Sequence, residues 1–138
     1  MLEDPRRAAG RRAPTPTTTT RLGQLGEAIA AAYLELAGFT IEARNLRRGR
    51  LELDLVATLG DLTCFVEVRL RRRGRAGTAV ETVGWMKRRR VREAAARLLA
   101  ARGRWGGRGG ACRFDVIAID WSPDGGLALT HVRDAFRE

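Results

Sequence analysis

Residues Leu51 to Leu70, LELDLVATLGDLTCFVEVRL, read as two alternating strands joined at Gly60-Asp61, a pair suited to a two-residue hairpin turn. Leu51, Leu53, Leu55 and Ala57 share one face with Cys64, Val66, Val68 and Leu70, and that face is wholly apolar. The other face carries Glu52, Asp54, Val56 and Thr58, then Thr63, Phe65, Glu67 and Arg69. A two-residue turn sets Asp54 opposite Glu67 and Glu52 opposite Arg69, with directly opposed Cβ atoms about 4.5 to 5.5 Å apart. Two carboxylates that close repel each other, and a shared proton or a divalent cation relieves the repulsion. A wet outer face with Arg69 and Arg71 in surface ion pairs, worth about 0 to 1 kcal/mol each, satisfies the same pattern. Alternation alone leaves both readings open.

A chain of 138 residues has room for one domain with a real core. Its 44% hydrophobic and 30% charged content is that of a globular protein. No apolar run approaches the ~18 residues of a membrane span, and the N-terminus lacks the stretch of about 7 to 15 apolar residues of a secretory signal. The expected location is the cytoplasm, without membrane association. Cys64 and Cys112 are isolated, lie in strand-like runs and read as core residues in a reducing compartment. The net charge of +10 and pI near 11.4 point to a polyanionic partner, most simply nucleic acid. Lys87 is the only lysine among the 26 basic residues.

Residues 1–20, with Arg6, Arg7, Arg11, Arg12 and the APTP and threonine runs, read as a disordered basic tail, leaving 21–138 as the single domain. A helix is expected over 21–37, capped by Thr20 and stopped at Gly38, with Leu22, Leu25, Ile29, Ala32, Tyr33 and Leu36 as its apolar stripe. Glu27 points away from that stripe, among Gly23, Gly26, Ala30 and Ala31, which suits either an ordinary solvated helix acid or a surface that another element approaches closely. A strand from Phe39 to Arg44 and a basic turn NLRRGR lead into the hairpin. After a basic connection, a second helix over 84–102 has Val91, Ala94, Ala95, Leu98 and Ala101 on its buried side and Lys87 at its core-facing start. Trp105, among arginines in GRWGGRGG, suits stacking on an unpaired base or an idle exposed loop equally. Strands at 112–121 and 127–132 and a short helix at 133–137 that tucks in Phe136 finish the chain, with His131 structural. The fold class is α/β in the order α-β-β-β-α-β-β, a mixed sheet flanked by helices, with the strand after the second helix reached by a crossover.

Several motifs, LGQLGEAIAAA (22–32), Arg44-Asn45, LELDLVA (51–57), FVEVR (65–69), Lys87, RFDVIA (113–118) and HVRDAF (131–136), resemble the YraN family of predicted endonucleases. That family is similar to archaeal Holliday junction resolvases and shares the restriction-endonuclease-like core. The resemblance implies a metal-dependent DNA endonuclease, acting on branched DNA. Its catalytic set would be Glu27, Asp54, Glu67, Arg69 and Lys87, with Asp54 and Glu67 ligating Mg²⁺ or Mn²⁺. Arg47, Arg48, Arg71, Arg72, Arg73, Arg88 and Arg89 would face the nucleic acid. A homodimer is the assembly implied by analogy with the paired arms of a junction. One departure matters. Arg69 stands where the family pattern has lysine, and arginine keeps the charge while staying protonated. The alternative is therefore a catalytically silent nucleic-acid-binding module that keeps the nuclease fold.

Overall fold

The computed structural model describes residues 18–73, 79–100 and 111–135. Helix α1 (Thr18–Leu36) leads into strands β1 (Thr40–Arg48), β2 (Leu51–Leu59) and β3 (Leu62–Arg72). Helix α2 (Ala79–Ala100) then crosses to β4 (Cys112–Trp121), and β5 (Leu127–Val132) follows. The strands form one sheet in sequence order, with β3 and β4 parallel and every other neighbouring pair antiparallel. A parallel pair needs a crossover, and α2 supplies it. This is the expected element order and a restriction-endonuclease-like α/β core.

The central hairpin has the register its turn implied, with Leu55 paired to Val66 and Leu59 to Leu62 around Gly60 at φ +58°. Several boundaries differ from expectation. Thr20 lies inside α1 rather than capping it. The NLRRGR segment is mostly strand, because β1 continues to Arg48 and turns tightly at Gly49 (φ +60°) and Arg50 into Leu51. Helix α2 starts earlier than expected, at Ala79, and Arg133 to Ala135 form a turn instead of a helix. The tail up to residue 17, the basic connection over 74–78, the Trp105 loop and Phe136 lie outside the described residues.

Both helices are rotated from the faces their apolar patterns favoured. In α1 the buried residues are Gly26, Ala30, Ala31 and Leu34, while Leu25 and Leu36 are 55% and 91% exposed. The reason is close approach. A Cβ at Gly26 would stand 3.4 Å from Leu70 Cβ, so the small-residue side lets the helix settle onto β3. In α2 the side facing the sheet is Arg89, Arg92, Glu93 and Ala96, spaced as one helical stripe, whereas Val91, Ala94 and Lys87 are exposed. Charge sets that rotation, as the site shows.

Two hydrophobic clusters result. One, beneath α1, joins Ala30, Leu34, Leu55, Ala57, Cys64, Val66, Ile117 and Ile119. The other, on the opposite face, joins Leu53, Val56, Phe65, Phe114 and Val116 with Ala96 of α2. The face of the hairpin that alternation left open to water is thus covered at Val56 and Phe65. Leu51 and Leu53, expected with Leu55 and Ala57, pack in the second cluster instead. The change of side falls at Asp54, just past Leu55–Val66, where a carboxylate rather than a backbone carbonyl takes the Val68 N–H.

On the α1 face, Asp115 is fully buried and fully engaged. Arg113 donates to it twice, at 2.7 and 2.8 Å, His131 Nε2 lies 2.8 Å from Oδ2, and the Asp134 backbone N–H donates at 3.0 Å. Tyr33 Oη lies 3.0 Å from His131 Nδ1, extending the network to α1. His131 is structural, as expected. These partners hold Asp115 below the usual carboxylate range against the opposing effect of burial. Asp115→Ala is expected to destabilise the protein by about 3 to 5 kcal/mol in denaturant unfolding, the scale for removing one partner of a buried ion pair. Because its proton affinity is lowered on folding, Asp115's stabilisation is present above an unfolded pKa of about 3.9 and is lost as pH falls through its folded value.

Candidate active site

The hairpin, the second half of β1 and the two helices bring three carboxylates to one neighbourhood. Pairs Arg44–Leu55 and Leu46–Leu53 bracket Asn45 and Asp54, so these two residues are level across β1 and β2. The β2–β3 pairing ends at Leu55–Val66, and Glu67 follows Val66 on β3, where the charge of Asp54 reaches it. From α1, Glu27 hydrogen-bonds Asn45 and feels the charge of Asp54. From α2, Arg92 lies close enough to act on both Asp54 and Glu67. The charge of Asp54 thus acts on both Glu27 and Glu67.

Asp54 Oδ2 accepts a hydrogen bond of 2.8 Å from Val68 N–H. Glu67 is 8% exposed and lies under two guanidinium groups. Arg92 NH1 donates to its Oε1 at 3.0 Å, and Arg89 Nε stands 3.2 Å from its Oε2. The second contact is an ion pair without hydrogen-bond geometry, which leaves Oε2 buried with no hydrogen-bond donor. Glu52 faces Arg47 of β1, with an ion pair of 3.5 Å.

All three acids bind protons more tightly than usual, and burial is the largest cause in each case. The Val68 N–H and Arg92 oppose the rise at Asp54, and Arg92 and Arg89 oppose it at Glu67, while Asp54 adds to it there. Arg89 in turn is pushed down by burial and held up by Glu67. Carboxylates kept desolvated against their ordinary chemistry are candidates for a functional site.

Arg69 shares the face of Glu67, two residues along β3, and its charge reaches that acid. Lys87 is exposed rather than core-facing. Of the arginines expected to face nucleic acid, Arg47, Arg48, Arg71, Arg72, Arg73 and Arg88 are exposed, but Arg89 is buried against Glu67. Arg71 pairs with Asp120 at 3.0 Å and Arg72 lies over the Trp121 ring at 5.7 Å. Two residues had no assigned part in the sequence reading. Arg92 was signalled by its spacing from Arg89, three residues along one helical side. Asn45 was signalled by its type, since it adopts φ +49°, which Asn tolerates better than most residues.

Among the described residues no three His, Cys, Asp or Glu side chains form a ready metal cage. Mg²⁺ rarely uses one. It is usually held by one or two carboxylates, with waters and substrate phosphate completing its shell. Asp54 and Glu67, hard oxygen donors on neighbouring strands with Oε2 lacking a hydrogen bond, fit that pattern.

Fold and site together define an α/β domain with a restriction-endonuclease-like core and a desolvated acidic centre edged by arginines. Residues 26–119 match the model of the uncharacterised protein family UPF0102, and the chain belongs to that family. It is 41% identical over 116 residues to a UPF0102 protein of Symbiobacterium thermophilum, covering 84% of this chain and 96% of that one. A UPF0102 protein of Anaeromyxobacter dehalogenans is 45% identical over 119 residues, covering 83% of each chain. A third, from Rhodococcus jostii, is 44% identical over 115 residues, covering 83% of this chain and 95% of that one.

Asp54→Asn is expected to raise the midpoint of thermal unfolding by roughly 2 to 6 °C at pH 7.5 without divalent metal, the shift of about 1 kcal/mol in a domain of this size. An acid with raised folded pKa stabilises below its unfolded pKa and loses that stabilisation as pH rises through the folded value. The advantage of Asn should therefore shrink as pH is lowered and vanish below the unfolded value of about 3.9. A variant less stable than wild type at pH 7.5 would show that the carboxylate is structural.

Proposed function

We propose that this protein is a metal-dependent endonuclease of the resolvase-like type, hydrolysing phosphodiesters in DNA. The observation that carries the reading is the convergence of Glu27, Asp54 and Glu67 from one helix and two strands, each with raised proton affinity. Asp54 and Glu67 would hold Mg²⁺ or Mn²⁺, which when bound polarises the phosphate and activates water. The chain's own residues do the rest. Val68 N–H fixes the Asp54 carboxylate, and Asn45 steadies Glu27 at its edge. Arg92 links the two metal-binding acids and keeps their charges from repelling each other. Arg69, next to Glu67, can bind a phosphate through two parallel hydrogen bonds. The exposed Arg47, Arg48, Arg72, Arg73 and Arg88 add attraction to the DNA backbone that is independent of sequence.

A second reading, a binding module that keeps the nuclease fold without its chemistry, is favoured by one feature. Glu67 is already neutralised by Arg89 and Arg92, and the position of the family's lysine holds Arg69, which does not release a proton near neutral pH.

The two readings separate on end-labelled branched and single-stranded DNA with Mg²⁺ or Mn²⁺. Cleavage is expected to need the metal, to rise as pH climbs above the ordinary carboxylate range, and to disappear in Asp54→Ala. Arg69→Lys is expected to increase the rate about tenfold or more. Wild-type protein is also expected to gain thermal stability with Mn²⁺, as any ligand of the folded state confers, and Asp54→Asn to gain none. Steeply salt-dependent DNA binding with no product from either wild type or Arg69→Lys would establish the binding module instead.

A further inference from the structure

On the α2 face, beyond Glu67, the sheet carries a hollow of about 230 Å³ that the acidic centre does not use. Its floor is Val116 and Ala118 of β4 with Thr130 of β5, and Arg69, Arg71 and Arg89 stand around it. Register explains the floor. Ala118 pairs with Thr130 and Val116 with Val132, so four same-face positions form a flat patch. Neighbouring strands lie about 4.8 Å apart and same-face residues about 6.6 Å apart along a strand, and small side chains keep the patch level.

Size and chemistry narrow the occupant. A water takes about 30 Å³ of liquid, so the hollow is far too large for one water or for a lone metal ion. Sites for whole cofactors run about 300 to 1,000 Å³, so it is too small for a dinucleotide. A flat apolar floor with planar guanidinium groups at its edge suits a single planar heterocycle, because guanidinium stacks on aromatic faces and binds phosphate through its N–H fork. Arg69 and Arg89 line the hollow and also act on Glu67. The hollow is therefore the immediate neighbour of the place where a phosphodiester would meet Asp54 and Glu67.

We infer that this hollow receives one unstacked nucleobase, with its flanking phosphate on Arg69. The inference rests on the proposed nuclease reading and gives it a substrate class: DNA with an unpaired nucleotide beside the bond addressed, rather than continuous duplex. A base paired in a duplex cannot enter, since it would first have to leave the stack. The same chemistry is offered by a free nucleotide, and the test distinguishes the two sources.

The full-length protein is titrated by fluorescence anisotropy with labelled oligothymidylate, an abasic strand of equal length and a blunt duplex, at one salt concentration without divalent metal. Oligothymidylate is expected to bind roughly five- to a hundredfold more tightly than the abasic strand, the range for stacking of one base. Thr130→Trp fills the hollow from an exposed edge-strand position that favours aromatic residues. It is expected to remove that difference while leaving abasic-strand and duplex affinities within about twofold. Competition by thymidine monophosphate at matched concentration would assign the hollow to a free nucleotide, and its failure to compete assigns it to a base within a strand. Equal binding of thymidylate and abasic strands by wild type, or an undiminished preference in folded Thr130→Trp, overturns the inference alone. No binding to any of the three nucleic acids at low salt overturns the nuclease reading with it.

Discussion

A carboxylate buried between two guanidinium groups is the constraint on which the arrangement of this domain depends. Glu67 sits on the central strand β3 under α2, with Arg92 on one oxygen and Arg89 on the other. Leaving such a charge unpaired in a desolvated place costs several kcal/mol, more than a few aliphatic contacts recover. Helix α2 accordingly turns Arg89 and Arg92 toward the sheet and leaves Val91 64% exposed. The rotation that satisfies Glu67 also brings Arg92 within reach of Asp54 and sets Arg89 as a wall of the adjoining hollow.

The two faces of the sheet solve different problems. Under α1 the contact is close and mostly apolar, through Gly26, Ala30 and Leu34, and the buried Asp115 there is saturated by Arg113, His131 and a backbone N–H. That charge has its full set of partners and a lowered proton affinity. Under α2 the acids are incompletely satisfied and their proton affinities are raised. The contrast is between a carboxylate with a full set of donors, Asp115, and one that lacks a donor, Glu67. It follows from counting donors around each oxygen rather than from residue type.

Much of this was legible along the chain. The 51–70 hairpin could be read because Gly60-Asp61 fixes a register, and the pairs from Leu59–Leu62 to Leu55–Val66 follow it. Strands β4 and β5 were legible from their length and branched residues. Helix faces were read less well. A periodicity argument assumes that the most apolar stripe is buried, and in α1 it selected Leu25 and Leu36, which are exposed. Close packing on Leu70 favoured the side with the smallest residues instead. In α2 the same assumption placed Lys87 inward and Arg89 outward, the reverse of what Glu67 required.

By itself the sequence determined the order of elements and the hairpin register, because each depends on interactions among residues a few positions apart or on a turn of known geometry, while the family resemblance singled out Glu27 beside Asp54 and Glu67. Tertiary structure alone decided the rotation of both helices, the arginine pairing of Glu67, the role of Asn45 and the hollow beside Arg69. Those features arise where segments distant in the chain compete for the same desolvated space. The outcome there is set by which charge must be neutralised and how closely two backbones can approach, neither of which a one-dimensional pattern encodes.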